Sequence, residues 1–346
     1  MRTLRNEAEE GLASKGISLE LFPSYCAQLE KELRLITKFK LGKQFELAIT
    51  LQRWADKKGI NTGYGRGIFC SSLVAYCTGI SEIDPIKHGL ESELFLNRLR
   101  VKKPLPLHFD VAQNREAETL EFIKDNLKYC KVEKGSFKHC HNVRVDESIH
   151  SIQVIGLESL ERIVPDLDVN DKKIYAFLRS MQNPKGIFYL EAPKLWDYVN
   201  RMQVRNFNEL IGMCARVWPK PILAGLTEDF VERKDNLILY NEDIIKVIMQ
   251  QTGMKYWHSV AALLYVQHKR VHEEHKEAFN ELKEEFKDKE VFKYVAHCAP
   301  YTKQKAFHVG MSYLTCANIA HKMAVHSERY EATDNMDMAR MFFLEH

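Results

Sequence analysis

Seven residues, Asn61-Thr62-Gly63-Tyr64-Gly65-Arg66-Gly67, constrain this chain more than any other stretch, because three glycines and one cation stand immediately before the small and apolar run Cys70–Tyr76. Glycine allows backbone geometry and close approach that other residues resist. A turn of this kind that feeds a helix can aim unpaired backbone N–H groups at a phosphate, and it can equally be a tight connection. The segment before it is helical by pattern. Leu19–Lys38 and Gln44–Lys58 carry apolar residues at three- and four-residue steps, and Gly59 stands where a helix C-cap belongs.

The flanks resolve more than the turn does. Phe45–Tyr76 reads FELAITLQRWADKKGINTGYGRGIFCSSLVAY. It resembles the glycine-serine motif and leading helix of C-family DNA polymerases, the family of the bacterial DNA polymerase III alpha subunit, in which W-A-K-x-x-G-I runs into G-P-G-R-G-S-x-A-G-S-L-V-A-Y. Gly79–Leu90, with Phe95-Leu96-Asn97 and Arg100-Val101, is similar to the family's G-I-T-x-x-D-P-L segment and its continuation. In the same order come Gly186–Glu191, similar to G-V-F-Q-L-E-S; Phe230–Lys234, similar to F-I-x-R-K; Leu239–Asp243, similar to V-Y-Q-E-Q; and Tyr301–His326, similar to Y-G-F-N-K-S-H-A-A-A-Y-A-L and its helix. The resemblance covers residues 26–326.

The resemblance implies a helix-rich α+β fold: a reduced nucleotidyltransferase-like (polymerase beta-like) palm with a helical fingers-like region. Its expected divisions are N-terminal helices over 1–60, the palm over 61–172, the fingers over 173–330 and a tail over 331–346. Such a palm holds two magnesium ions on clustered aspartates. Here the stretch matching P-D-x-D-x-D-F is Pro104–Asp110, in which Asp110 alone is acidic, out of the family's register. The strand matching F-D-F-L-G-L is Ile152–Leu157, with the amide Gln153 at the acidic position. No catalytic residue is therefore assigned beyond the weak candidate Asp110. No cofactor is expected, or magnesium if the palm site is retained.

Phosphate- or DNA-binding candidates are Gly65, Arg66, Gly67, Ser72, Arg233, Lys234, Lys269 and Lys305. Departures weaken the cradle: Ile68 stands for the expected serine, Ser71 for a glycine, and Ala262–Lys269 replaces two phosphate-reaching arginines of L-R-R-A-M-G-K-K by leucines. Trp218-Pro219-Lys220-Pro221 likewise replaces an arginine of R-P-G-P. The bland reading of the isolated cations is surface solvation. Trp196, Tyr198, Arg201, Arg205, Trp218 and Lys220 are either a stacking platform for nucleic acid or core aromatics beside solvated charges.

Other chemistries find little support. Cys130, His139, Cys140 and His141 are zinc-ligand types without paired C-x2-C spacing. His272-Glu273-Glu274-His275 falls one residue short of H-E-x-x-H and opens a charged amphipathic stretch to Phe292, with Ala278, Leu282 and Phe286 on one stripe. Neither a G-x-x-x-x-G-K-[ST] loop nor a G-x-S-x-G elbow occurs.

Fifty Lys plus Arg against 47 Asp plus Glu give a net charge of +3 in 346 residues, so DNA contact would rest on local patches rather than an overall basic field. Eight scattered cysteines suit reduced thiols, the start lacks an apolar signal-peptide core, and no stretch approaches a membrane span. A cytoplasmic protein without membrane contact is expected. These readings leave three functions: a non-catalytic DNA-binding or replisome-associated module, an active minimal or split DNA polymerase completed by a companion chain, and a protein-interaction regulator without DNA binding. The family's N-terminal phosphoesterase-like and C-terminal clamp-binding regions find no counterpart in these residues, so proofreading and self-sufficient processivity are not expected.

Overall fold

The computed structural model describes residues 4–94, 96, 106–136, 138–157, 160–161, 167–180, 203–217, 240–268 and 273–297, with ten further positions between 303 and 321. They belong to two compact units, Met1–Val164 and Pro165–His346.

The first unit begins with three helices, α1 (Leu4–Ser14), α2 (Phe22–Lys38) and α3 (Gly42–Lys58). Each forms because its apolar residues recur on one face: Leu4, Ala8 and Leu12 on α1, and Tyr25, Leu29, Leu33 and Ile36 on α2, are buried. Pro23 sits in the first turn of α2, where its missing N–H costs no helical bond. Gly59 ends α3 in the left-handed region (φ 61°), donating its N–H to the Asp56 carbonyl. The chain then passes through a two-residue strand β1 (Arg66–Gly67) and two short helices, α4 (Ile68–Ser71) and α5 (Leu73–Cys77).

The remainder of this unit builds a sheet from β2 (Pro106–Ala112), β3 (Cys130–Lys134), β4 (Cys140–Val145) and β5 (Ser151–Leu157), with helix α6 (Glu116–Asn126) between β2 and β3. The strand order is β1-β2-β5-β4-β3. Only the β2–β5 pair is parallel, in register from Pro106 beside Ser151 to Ala112 beside Leu157. A parallel pair needs a crossover, which α6 and the β3–β4 hairpin supply.

Strand alternation gives the sheet two unlike faces. Leu107, Phe109 and Val111 of β2, Ile152 and Val154 of β5, and Val143 of β4 are buried in one hydrophobic core with the α1–α3 residues. Burying a side chain of this size contributes roughly 1.5–3 kcal/mol, so this shared core holds helices and sheet together as one unit. Trp54 of α3 stacks on Phe122 of α6, ring centroids 4.6 Å apart. The N-terminal helices are thus continuous with the sheet's core rather than a separate layer.

The second unit is helical in its described residues: α7 (Lys172–Ser180), α8 (Phe207–Val217), α9 (Asn241–Thr252), α10 (Tyr256–His268), α11 (Glu273–Glu285) and α12 (Lys289–His297). The amphipathic stretch from His272 to Phe292, read in the sequence as continuous, is divided. Asp288 takes the Glu290 and Val291 amides on its side chain and so caps a new helix, while Leu282 and Phe286 stay buried. Buried Glu242, at the start of α9, receives the Lys303 backbone N–H at 3.1 and 3.0 Å on its two oxygens. That bond ties the Leu239–Asp243 block to the Tyr301–His326 block. The described cysteines, Cys26, Cys70, Cys77, Cys130, Cys140 and Cys214, are free thiols.

Candidate functional site

α2 is the scaffold of the glycine-rich segment. From one side of this helix Tyr25, Gln28 and Glu32, spaced three and four residues apart, each grip a different point between residues 72 and 93. The Tyr25 hydroxyl donates to Asp84 Oδ2 at 2.7 Å, and Asp84 Oδ1 in turn accepts the Ile86 and Lys87 amides. Gln28 reaches Glu93, which also pairs with Lys31. Glu32, fully buried, accepts the Ser72 hydroxyl and, at 2.8 Å, the Leu73 amide.

That last contact settles what the start of α5 does. Ser72 is the N-cap, its Oγ accepting the Ala75 N–H at 3.0 Å, and Glu32 supplies a carboxyl group to the donors beside it. Burial pushes the Glu32 carboxyl up to about 7, opposed by hydrogen bonds from Ser72, Leu73 and Val74, with nearby Glu93 adding to the rise. Ser72, expected to meet phosphate, has no exposed surface, and its hydroxyl is committed inside the protein. The acceptor at this helix start is the chain's own Glu32 carboxyl group.

The glycines of the turn are fixed by contacts. Gly65 has φ 110°, and a Cβ there would stand 2.4 Å from Ser81 Oγ, whose hydroxyl bonds the Tyr64 carbonyl. Gly63 packs against Asp110: a Cβ would lie 2.9 Å from the Asp110 Cβ, and the Gly63 amide donates to the Asp110 carbonyl. Gly67, with φ 61°, leads directly into α4.

These contacts deliver Arg66 to the sheet's second face. Arg66 is paired in register with His108, and alternation places Asp110 on the same side of β2. Across the parallel pair, Gln153 stands beside His108, and Asn142 of β4 stands beside Gln153. Arg66 Nε lies 3.3 Å from Asp110 Oδ2. Gln153 Nε2 donates to Asn142 Oδ1 at 3.1 Å. Asp110 Oδ1 is buried without a hydrogen-bond partner. Burial raises the Asp110 pKa and the Arg66 charge opposes the rise.

The four zinc candidates are not gathered. His139 and His141 instead grip one carboxylate, with His139 Nδ1 2.8 Å from Glu116 Oε2 and His141 Nε2 2.5 Å from Glu116 Oε1. Cys130 lies across from Val145 on the outer strand, and Cys140 across from Ile155. Among the described residues, no group of three or more His, Cys, Asp or Glu is arranged to hold a metal ion. Arg233, Lys234, Lys269 and Lys305 lie outside the described residues, as do Trp196, Tyr198, Arg201 and Trp218–Lys220. Arg205 is exposed, and its backbone amide bonds Glu209. Among the described residues no helix is long and apolar enough to cross a membrane.

Two stretches of this chain match known protein domains. The bacterial DNA polymerase III alpha NTPase domain matches residues 2–144, and the finger domain of the same subunit matches residues 120–257. This chain is a partial homologue of the bacterial DNA polymerase III alpha subunit. The Campylobacter jejuni alpha subunit is 28% identical over 218 residues, 58% of this chain and 17% of that protein. The Aquifex aeolicus subunit is 39% identical over 101 residues, and the Bacillus subtilis subunit 38% over 100, each covering 29% of this chain and 9% of the relative. The chain therefore spans less than a fifth of the length of these relatives. The two family matches overlap between α6 and β4. The alpha-subunit homologue pairs β2, inside the first match, with β5, inside the second, along seven residues.

Proposed function

We propose that this alpha-subunit homologue has a reduced polymerase beta-like palm without nucleotidyl transfer and serves as a cytoplasmic DNA-binding or replisome-associated module. The observation that carries the reading is the polar sheet face around Asp110: Arg66, His108, Asp110, Gln153 and Asn142 bring one carboxylate, paired with an arginine, and Glu133, beside Asn142 on the outer strand, is paired instead with Lys131 and Arg144. Two magnesium ions need several anionic oxygens, and Mg²⁺ demands near-octahedral oxygen ligation. One carboxylate facing a guanidinium does not fit that centre, and the Gln153 amide carries no charge to replace a second. Retention of the scaffold beside a depleted metal face supports binding without chemistry. Arg66, with Arg233, Lys234, Lys269 and Lys305, forms the basic set assigned to DNA, with Gly65 and Gly67 shaping the backbone around Arg66.

One observation favours a second reading, a split polymerase completed by a companion chain. Asp110 keeps a buried oxygen without a partner, as a remnant of a metal site would. Primer extension on a primed template, with magnesium and then manganese, separates the two when run beside a gel shift on the same DNA. Salt-sensitive binding without extension supports the module; extension that Asp110→Ala abolishes overturns it. Binding to replisome proteins without DNA affinity would point to a regulator.

A further inference from the structure

Arg66 is the cation of the turn Asn61–Gly67. In the DNA-binding reading, on which this inference rests, the turn meets a phosphate through Arg66. The start of α5 offers no substitute, because Glu32 and Ser72 already take the Leu73 and Ala75 amides. Arg66, however, is held by Asp110 on the neighbouring strand.

The two partners are unequally placed. The Arg66 side chain is 25% exposed and that of Asp110 3%, so of the two partners Arg66 is the one a phosphate can meet from solvent. Asp110 cannot follow Arg66 outward, because Gly63 lies directly against its Cβ. Nor can it lose Arg66 without cost: its other oxygen lacks a partner, and burial already disfavours its charge.

We propose that Asp110 is an internal competitor for DNA phosphate, holding Arg66 so that the turn engages a phosphodiester only in the fraction of molecules whose Arg66–Asp110 pair has opened. Carboxylate and phosphate both pair with the guanidinium charge, so a phosphate drawn to Arg66 competes with the ion pair that Nε makes 3.3 Å from Asp110 Oδ2. Apparent affinity then falls in proportion to the competent fraction. Replacing the carboxylate by an amide removes the charge with which Asp110 competes and keeps the shape of its side chain.

The test is fluorescence anisotropy of a labelled primed duplex at about 50 mM and about 200 mM salt, a range over which phosphate contacts are readily resolved. It uses the full chain as wild type, Asp110→Asn, Arg66→Gln and the double variant, with thermal unfolding as a check on folding. The expected result is about five- to tenfold tighter binding by Asp110→Asn, less than about a twofold change for Arg66→Gln alone, and loss of the gain in the double variant. Wild-type binding that Asp110→Asn leaves unchanged or weakens overturns the competitor while leaving the DNA-binding reading intact. Absence of binding by all four proteins at low salt overturns both. If Asp110→Asn does not fold, the wild-type protein and Arg66→Gln decide: weakening beyond about threefold means that Arg66 is already on the phosphate and no latch operates.

Discussion

Glu32 and Ser72, forty residues apart, share a hydrogen bond inside the core, and through it α2 supplies a carboxyl group to the start of α5. Because Glu32 is fully buried, its protonation is linked to folding. The folded carboxyl titrates at about 7 against an ordinary value of 4.5, so the folded state holds a proton that the unfolded state releases across that window. Stability from this group is therefore greatest below about 4.5 and is lost as pH rises through about 7. A shift of this size corresponds to roughly 3 kcal/mol. Urea unfolding at pH 5 and pH 8 is expected to show a decline for wild type that Glu32→Gln flattens; an unchanged slope in the variant would assign the decline to other groups.

Gly65 and Gly59 separate two costs of a side chain in left-handed backbone. Both have positive φ, but a Cβ at Gly59 meets nothing within 4 Å, whereas one at Gly65 runs into Ser81. Gly59→Ala is expected to cost about 1 kcal/mol from backbone conformation alone, and Gly65→Ala roughly 3 kcal/mol or more. Thermal unfolding of the two variants checks this. Equal losses would mean that the Ser81 side chain moves aside without cost.

How much of this was legible depended on whether the signal was local. The helices expected over Leu19–Lys38 and Gln44–Lys58 from three- and four-residue apolar spacing form over Phe22–Lys38 and Gly42–Lys58, the Gly59 cap followed from its place after the last periodic residue, and the strand over Ile152–Leu157 from its resemblance to a family segment. Glu32 was missed, although it lies seven residues after Tyr25 and four before Ile36, on the buried side of α2; an acidic residue at such a position was the available signal. The Glu116 clasp had none, since His139 and His141 lie 23 and 25 residues away and meet it only across the sheet. Arg66–Asp110 is similar: each residue was singled out alone, but their pairing depends on the β1–β2 register. The break before Asp288 was misread because the apolar stripe continues through it, and only the side-chain cap reveals the new start.

Tyr25 anchors the Asp84 turn to α2 by a buried hydrogen bond, and both burial and the Asp84 charge raise the phenol pKa. Tyr25→Phe removes the donor while keeping the ring. Hydrogen bonds to charged groups contribute about 1.5–3 kcal/mol, and a loss in that range is expected on urea unfolding. Asp84→Asn keeps an acceptor for the Ile86 and Lys87 amides and is expected to lose less than Asp84→Ala. Equal losses would show that the bond to Tyr25, rather than the turn, sets the cost.

Glu116 joins the start of α6 to β4 through two imidazoles, and this explains why two histidines flanking Cys140 need no metal to order them. If the clasp is a hydrogen-bonded unit, its two halves share one carboxylate and their contributions are coupled. His139→Ala and His141→Ala are each expected to cost roughly 1–2 kcal/mol, and the double variant less than their sum if one histidine reorients Glu116 for the other. A zinc site using the same side chains behaves differently: added zinc would raise the unfolding temperature of wild type and not of Glu116→Gln, because a ligand bound only by the folded state stabilises it by mass action. Unfolding curves that coincide with and without zinc, together with a coupled double-variant cycle, assign His139 and His141 to the carboxylate. A zinc-dependent rise lost in either histidine variant returns them to a metal.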